Sequence, residues 1–160
     1  MGAGTGATVA KVLHEAEPRP GGLVTASARV GDLVVGARLA VNASGVPGGA
    51  STLAATAAIG APREGWGRDD ASGPAPGANT TIGLVATNAR LDKVACHRMA
   101  QGAHDGLARA VFPPHTRFDG DAFVAASLGD ADGVEGVDAD PDAVRALAVH
   151  VAAAAILGLA

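Results

Sequence analysis

The chain has 160 residues, carries a formal net charge of −4 at pH 7, and has a sequence pI near 5.6. Its 12 lysines and arginines are scattered rather than clustered, which argues against a nucleic-acid-binding protein. The single cysteine, Cys96, excludes an internal disulfide and a cysteine-based zinc site. Hydrophobic residues make up 48% of the chain but aromatic residues only 2%, so we expect one domain with a core of small aliphatic side chains and closely approaching backbones.

The sequence contains no recognisable targeting or membrane-spanning segment. The opening GAGTGATVA lacks the basic and long apolar regions of a signal peptide, and the apolar stretch 151–160 is too short to span a bilayer. We therefore expect a soluble cytoplasmic protein without a membrane partner.

Glycines at positions 2, 4 and 6 open the chain. A dinucleotide-binding fingerprint would need a preceding strand and a third glycine where Thr8 stands, so we expect a tightly turning loop instead. Lys11 follows this loop and is the only lysine in the first half of the chain. By composition alone it is an ordinary surface charge.

Two runs rich in Val, Leu and Ala, residues 23–30 and 33–41, flank the pair Gly31-Asp32. A two-residue turn between such runs predicts a β-hairpin. The second run is apolar on both faces apart from Arg38, as expected for a buried strand. Asn42 follows it, at a position where asparagine commonly forms a turn.

A long stretch rich in Gly, Pro, Ala and Ser extends from residue 46 to residue 78 and predicts a loop. A loop of this length inside a compact domain is either disordered or functional. Residues 81–88 then alternate as a strand, with Thr81 and Val85 on the opposite face from Ile82. The junction Asn79-Thr80-Thr81 lies between the loop and this strand.

A hydroxyl residue at such a junction suits a nucleophile that is unmasked when the chain is cut before it. The new α-amine of Thr80 would lie beside the hydroxyl and serve as its base. A plain strand start is the alternative interpretation of the same spacing.

The segment 91–111 predicts a helix that ends before Pro113, with one apolar stripe at four-residue steps. A metal site on this helix would need a third ligand besides His97 and His104, so a core or interface role for these histidines is favoured. A Ser127–His104–Asp121 triad can also be drawn, but no nucleophile-elbow motif supports it.

Asp119 and Asp121 flank Gly120 and enter a predicted strand over residues 122–128. Two carboxylates at this spacing face the same way and need a compensating cation or hydrogen-bond donors. A turn before a strand is the simpler interpretation. Asp140, followed by Pro141, predicts the N-terminus of a last helix that covers a sheet.

Several of these stretches together resemble one known family. NTTIGLVATNARLDK, HDGLARA and PPHTRFDGDAFVAAS resemble the small subunit of the L-aminopeptidase/D-esterase family, which includes β-peptidyl aminopeptidases and the nylon-oligomer hydrolase. GAGTGATVAK and AVNASG resemble the end of that family's large subunit. The resemblance runs over nearly the whole chain in the family's order, and it covers the C-terminal half of a family precursor.

This resemblance implies an α/β fold, the layered αββα sandwich of N-terminal-nucleophile hydrolases, here partial. It implies self-cleavage at Asn79–Thr80 into a large-subunit segment, residues 1–79 with a processing loop over about 46–79, and a small-subunit segment, residues 80–160. It also implies hydrolysis of a small peptide, amide or ester substrate through an acyl-enzyme, without metal or organic cofactor. The partners it implies are further copies of the chain, in a homo-oligomer, and the missing N-terminal half supplied by another chain.

The resemblance further implies a role for each of five residues. Thr80 is the nucleophile, Asn42 supplies an amide to the oxyanion hole, and Lys11 tunes the Thr80 hydroxyl. Asp119 and Asp121 hold the new amine and the lysine in place.

Two other functions are compatible with the sequence. One is an inactive, truncated chain that only associates with partner chains, since an isolated half would expose sheet edges and apolar faces. The other is an acyltransferase like the ornithine/glutamate N-acetyltransferases, whose fold also exposes a threonine. The FDGD stretch favours the peptidase.

Overall fold

The structure, a computed structural model, describes residues 2–13, 19–48 and 78–160. Most of the predicted processing loop, residues 49–77, lies outside the described residues. Eight strands are described: β1 Thr8–Val9, β2 Arg19–Pro20, β3 Gly22–Val30, β4 Leu33–Val41, β5 Val46–Pro47, β6 Ile82–Thr87, β7 Val111–Phe112 and β8 Ala122–Ser127. Two α-helices, α1 Lys93–Ala110 and α2 Pro141–Leu157, and a 3-10 turn, Lys11–Leu13, complete the described elements.

The central sheet has four strands in the order β3-β4-β6-β8. The predicted hairpin is confirmed, because β3 and β4 pair antiparallel and Val30 lies opposite Leu33 across the turn. β4 pairs antiparallel with β6, and β6 pairs parallel with β8. This order brings the start of β6, just after Thr80, beside the start of β8, just after Asp121.

Strand β6 alternates as its sequence predicts. Thr81, Gly83 and Val85 are buried, whereas Ile82 and Leu84 are exposed. The buried side faces the core, because a strand directs successive side chains to opposite faces of its sheet.

Both helices pack on one face of the central sheet, and the core lies between the two layers. Helix α1 contributes buried Met99 and Leu107, and helix α2 contributes buried Val144 and Ile156. At Gly106 an added Cβ would lie 2.6 Å from the carbonyl oxygen of Val149. The helices therefore approach at backbone distance, as the composition predicts for a core of small residues.

The caps of the two helices differ in how well the sequence predicts them. Asp140 accepts the N–H of Asp142 and Pro141 stands in the first turn, as predicted for α2. Helix α1 begins at Lys93, two residues later than the sequence alone indicates. Its N-cap is Asp92, whose side chain accepts the N–H of Ala95.

The other face of the central sheet carries exposed apolar side chains. Leu23, Ile82 and Val124 are 43%, 60% and 63% exposed, and with Arg38 they line an open groove of about 730 Å³. The described residues thus form one helix layer on one sheet layer. This is half of an αββα arrangement, as expected for a partial sandwich. None of the described helices is both long and apolar enough to cross a membrane.

Candidate active site

The Asn79–Thr80 junction lies against the turn Asp119-Gly120-Asp121. Asn79 is 4% exposed and forms an isolated parallel bridge with Asp119. The Asn79 N–H donates to the Phe118 carbonyl (3.3 Å), and the Asn79 carbonyl accepts the Gly120 N–H (2.9 Å). The peptide carbonyl that precedes Thr80 is therefore fixed by a backbone hydrogen bond.

Asp121 holds the residue that follows Thr80. One carboxylate oxygen accepts the Thr81 N–H (2.8 Å), and the other lies 2.7 Å from Nδ1 of His115. The Asp121 side chain is only 3% exposed. A carboxylate this buried depends on such donors, because desolvation penalises its charged form.

Asp119 joins the same turn to the end of strand β4. One of its carboxylate oxygens accepts the Ser44 N–H (3.1 Å). The other accepts both the N–H (2.8 Å) and the hydroxyl of Thr116. Asp119 therefore fixes the position of the turn relative to the segment that follows Asn42.

Asn42 and Lys11 form the opposite side of the junction. Lys11 Nζ donates to the Asn42 side-chain oxygen (2.8 Å) and to its backbone oxygen (3.1 Å). The same side-chain oxygen accepts the Thr8 N–H (3.0 Å), so Nδ2 is left as the outward donor. That Nδ2 donates to the carbonyl of Ala78 (3.1 Å).

The electrostatics of Lys11 follow from its burial. Desolvation lowers the pKa of Lys11, and the negative charge of Asp119 partly opposes this shift. The lysine lies in a 3-10 turn directly after Ala10, a non-glycine residue held at φ 63°. Such strained backbone clusters at functional sites.

The predicted site residues thus come together from four distant parts of the chain: Lys11, Asn42, Thr80, Asp119 and Asp121. One detail differs from the expectation: the bonds described for the Lys11 ammonium are to Asn42. For the Asn42 amide the sequence predicted no particular carbonyl, and the structure places it against that of Ala78.

The sequence interpretation missed three contributors: Thr116, His115 and the Gly120 N–H. Thr116 stands three residues before Asp119, a spacing at which a hydroxyl and a carboxylate close a turn. The sequence HTRFD carries that signal. No local pattern predicts the partner of His115, because His115 meets Asp121 only through the tertiary fold.

The alternative triad does not assemble. The Ser127 hydroxyl donates to the Ala89 carbonyl (2.7 Å) and accepts the Leu91 N–H (3.1 Å), so it ties strand β8 to the chain before α1. His104 lies instead with its ring 5.2 Å from the ring of His115. Among residues 2–13, 19–48 and 78–160, no three His, Cys, Asp or Glu side chains group closely enough to hold a metal ion.

Comparisons with solved structures give the same fold. The Burkholderia sp. β-aminopeptidase superposes with a TM-score of 0.61 at 24% sequence identity. The superposition covers 99% of this chain and 44% of the β-aminopeptidase chain. The Ochrobactrum anthropi L-aminopeptidase D-Ala-esterase/amidase, described as a variant of the Ntn hydrolase fold, gives a TM-score of 0.61 at 22% identity, over 99% of this chain and 43% of its own.

Curated relatives match over a shorter segment. An uncharacterized aminopeptidase of Mycobacterium leprae is 52% identical over 56 residues, which are 35% of this chain and 16% of the relative. A 6-aminohexanoate-oligomer endohydrolase of Kocuria sp. is 35% identical over 54 residues, 34% of this chain and 15% of the relative. The chain thus matches only a small part of these relatives and less than half of the solved structures.

The sequence profile of peptidase family S58 matches residues 1–158. Since this match covers almost the whole chain and the fold agrees with it, the protein belongs to peptidase family S58.

Proposed function

We propose that this chain cleaves itself between Asn79 and Thr80, and that Thr80 then acts as the N-terminal nucleophile of an aminopeptidase, amidase or esterase. The observation that carries the proposal is that the backbone on both sides of Thr80 is held by hydrogen bonds. The Gly120 N–H donates to the Asn79 carbonyl, and the Thr81 N–H donates to the buried carboxylate of Asp121. Cleavage would yield a large-subunit segment, residues 1–79, and a small-subunit segment, residues 80–160.

After cleavage, the Thr80 amine would be the general base for its own hydroxyl. The hydroxyl oxygen attacks the substrate carbonyl, the amine takes the proton, and the leaving amine or alcohol receives it as the acyl bond breaks. Water then hydrolyses the ester on Thr80. Asp119 and Asp121, which flank the junction, are suited to orient the new ammonium and balance its charge.

Asn42 and Lys11 have complementary roles in this mechanism. Departure of residues 78 and 79 would release the Asn42 Nδ2 from the Ala78 carbonyl, so this neutral, directional donor could stabilise a substrate oxyanion. Lys11 holds the Asn42 oxygen and therefore aims the amide. The proposed role of the Lys11 ammonium at the Thr80 hydroxyl is to tune it, by favouring loss of the hydroxyl proton.

The proposed substrate is a small molecule whose N-terminal peptide, amide or ester bond is hydrolysed. The names of the relatives, aminopeptidase and 6-aminohexanoate-oligomer endohydrolase, favour amide bonds. The exposed apolar sheet face supports the proposed assembly with the N-terminal half of a family precursor and with further copies of this chain.

Intact mass spectrometry tests the cleavage. The wild-type chain is expected to convert into two fragments, residues 1–79 and residues 80–160, whereas the Thr80→Ala chain is expected to remain uncut. Thr81→Ala is the matched control, because it removes the neighbouring hydroxyl and leaves Thr80 in place. A wild-type chain that stays whole after long incubation would contradict the proposal, and so would a Thr80→Ala chain that splits.

Substrate assays separate the peptidase from the other two functions. Hydrolysis of alanine p-nitroanilide by the cleaved protein supports the aminopeptidase. Acetyl transfer from acetylornithine would instead support the acyltransferase. A cleaved or uncleaved chain that turns over neither substrate and only associates with partner chains would fit the inactive fragment.

A further inference from the structure

The carbonyl that self-cleavage would attack has one described donor, and it is a backbone group. The Gly120 N–H lies 2.9 Å from the Asn79 oxygen, within ordinary hydrogen-bond distance. Asn79 is buried, and its own N–H, which belongs to the preceding peptide unit, donates to the Phe118 carbonyl, so the backbone of Asn79 is held on both sides of its Cα.

The expected oxyanion donor, Asn42, contacts a different carbonyl. Its Nδ2 lies 3.1 Å from the oxygen of Ala78, one peptide unit earlier in the chain. In the uncut chain, therefore, the Asn42 amide holds the Ala78 carbonyl and the Gly120 N–H holds the Asn79 carbonyl. Only the Asn79 carbonyl is bonded directly to the Thr80 nitrogen.

We propose that the backbone N–H of Gly120 is the oxyanion donor of the self-cleavage reaction, and that Asn42 takes this role only in the later hydrolysis of substrate. The inference rests on the proposed function. It adds a division of labour: one donor serves the chain's own scissile bond, and the other becomes available when residues 78 and 79 leave.

The step can be written with atoms and electrons balanced. The Thr80 hydroxyl oxygen forms a bond to the Asn79 carbonyl carbon, and the π electrons of that carbonyl move to its oxygen, toward the Gly120 N–H. The tetrahedral centre then collapses and breaks the bond to the Thr80 nitrogen, which takes the proton that left the hydroxyl. Water hydrolyses the resulting ester, which leaves the Asn79 carboxylate and the free Thr80 hydroxyl.

The surrounding contacts hold this donor in place before the reaction. Gly120 stands between Asp119, whose carboxylate accepts from Ser44 and Thr116, and Asp121, whose carboxylate accepts from Thr81. Both neighbours of the donor are thus fixed to separate segments. A donor that is fixed in advance stabilises developing negative charge without reorganisation.

A pair of substitutions at Gly120 tests the proposal. Gly120→Pro removes the N–H, and Gly120→Ala keeps it while adding a Cβ. The rate of cleavage is followed by intact mass after cell-free synthesis, beside wild type and Thr80→Ala. Loss of one oxyanion donor typically slows a reaction about 10²–10³-fold, so we expect Gly120→Pro to cleave about a hundredfold more slowly than wild type and far more slowly than Gly120→Ala.

The possible results separate the two proposals. If wild type does not cleave, the proposed function fails. If wild type cleaves and Gly120→Pro cleaves at a similar rate, the donor role is wrong although the function stands. If Gly120→Ala is slowed as much as Gly120→Pro, space rather than the N–H is decisive, and the donor role is again wrong.

A second replacement covers the case in which the proline distorts the turn. Circular dichroism and the thermal unfolding midpoint of Gly120→Pro are compared with those of uncut Thr80→Ala. If they differ, glycolic acid is introduced at position 120 by nonsense suppression, which exchanges the N–H for an ester oxygen without adding a ring. A folded ester variant that cleaves as fast as wild type would overturn the proposal, and one slowed about a hundredfold would support it.

Discussion

Nδ1 of His115 lies 2.7 Å from a carboxylate oxygen of Asp121, and the other oxygen of that carboxylate holds the N–H of Thr81. His115 has a left-handed backbone, φ 47°, which is uncommon for a residue with a side chain. A strained histidine thus fixes the orientation of a buried acid next to the proposed nucleophile.

This relationship predicts that His115 positions Asp121 for self-cleavage. His115→Gly tolerates the backbone conformation and removes the side chain with its ring, so we expect it to slow cleavage about tenfold or more, in line with the roughly 1.5–3 kcal/mol of a hydrogen bond to a charged group. His115→Asn tolerates the same backbone and keeps a donor, so it is expected to restore part of the rate. Intact mass over time measures both, and a His115→Gly chain that cleaves like wild type would refute the role.

Asn42 is predicted to matter more for substrate hydrolysis than for self-cleavage. Asn42→Asp keeps oxygen acceptors for Lys11 and Thr8 but removes the Nδ2 donor. We expect the kcat of the cleaved protein on alanine p-nitroanilide to fall about 10²–10³-fold, and cleavage itself to slow less. The control is Asn42→Ala, which loses the acceptors as well and is expected to lower the stability of the fold. Equal hydrolysis by Asn42→Asp and wild type would exclude the oxyanion role.

Thr81 carries a buried hydroxyl with no described hydrogen-bond partner, in a residue that is 0% exposed. An unsatisfied buried polar group costs about 1–3 kcal/mol, so Thr81→Val, which keeps the shape and removes the hydroxyl, should raise the free energy of unfolding by about 1 kcal/mol. Thr81→Ser keeps the hydroxyl and should not. Urea unfolding in an uncut Thr80→Ala background measures the difference. Lower stability of the valine variant would mean that the hydroxyl has a partner in solution.

His104 predicts a pH dependence of stability. Burial, and next the positive charge of His115, lower the pKa of His104, while Asp121 and Asp105 oppose the shift. The unfolded chain, with an ordinary pKa of about 6.5, therefore binds the proton before the folded chain does as the pH falls. Stability from this group is full above pH ~6.5 and is lost as the pH falls toward the lowered pKa of the folded protein.

His104→Gln should flatten this dependence, because it removes the titrating group and keeps a polar side chain. Urea unfolding of Thr80→Ala with and without His104→Gln, between pH ~5 and ~7.5, measures it. His97→Gln, on an exposed position of the same helix, is the matched control. An unchanged pH profile in His104→Gln would assign the dependence to other groups.

Local patterns in the sequence predicted most of the regular structure correctly. The hairpin about Gly31-Asp32, the alternation of β6 and the Asp140 cap each depend on residues within a few positions of one another. The start of α1 was less well placed, because Leu91 continues the apolar pattern while the capping side chain of Asp92 begins the helix after it. The family was also evident from sequence, since its motifs are contiguous stretches.

The sequence by itself determined the elements, the family and the set of polar residues available for a site. Only the tertiary structure decided which atoms meet: Asp121 with Thr81 and His115, the Asn42 amide with the Ala78 carbonyl, and the Gly120 N–H with the Asn79 carbonyl. The physical reason is range. Periodicity and capping constrain neighbours along the chain, whereas Thr81 and Asp121 meet because β6 and β8 pair in parallel, and that pairing depends on how two helices and four strands pack together.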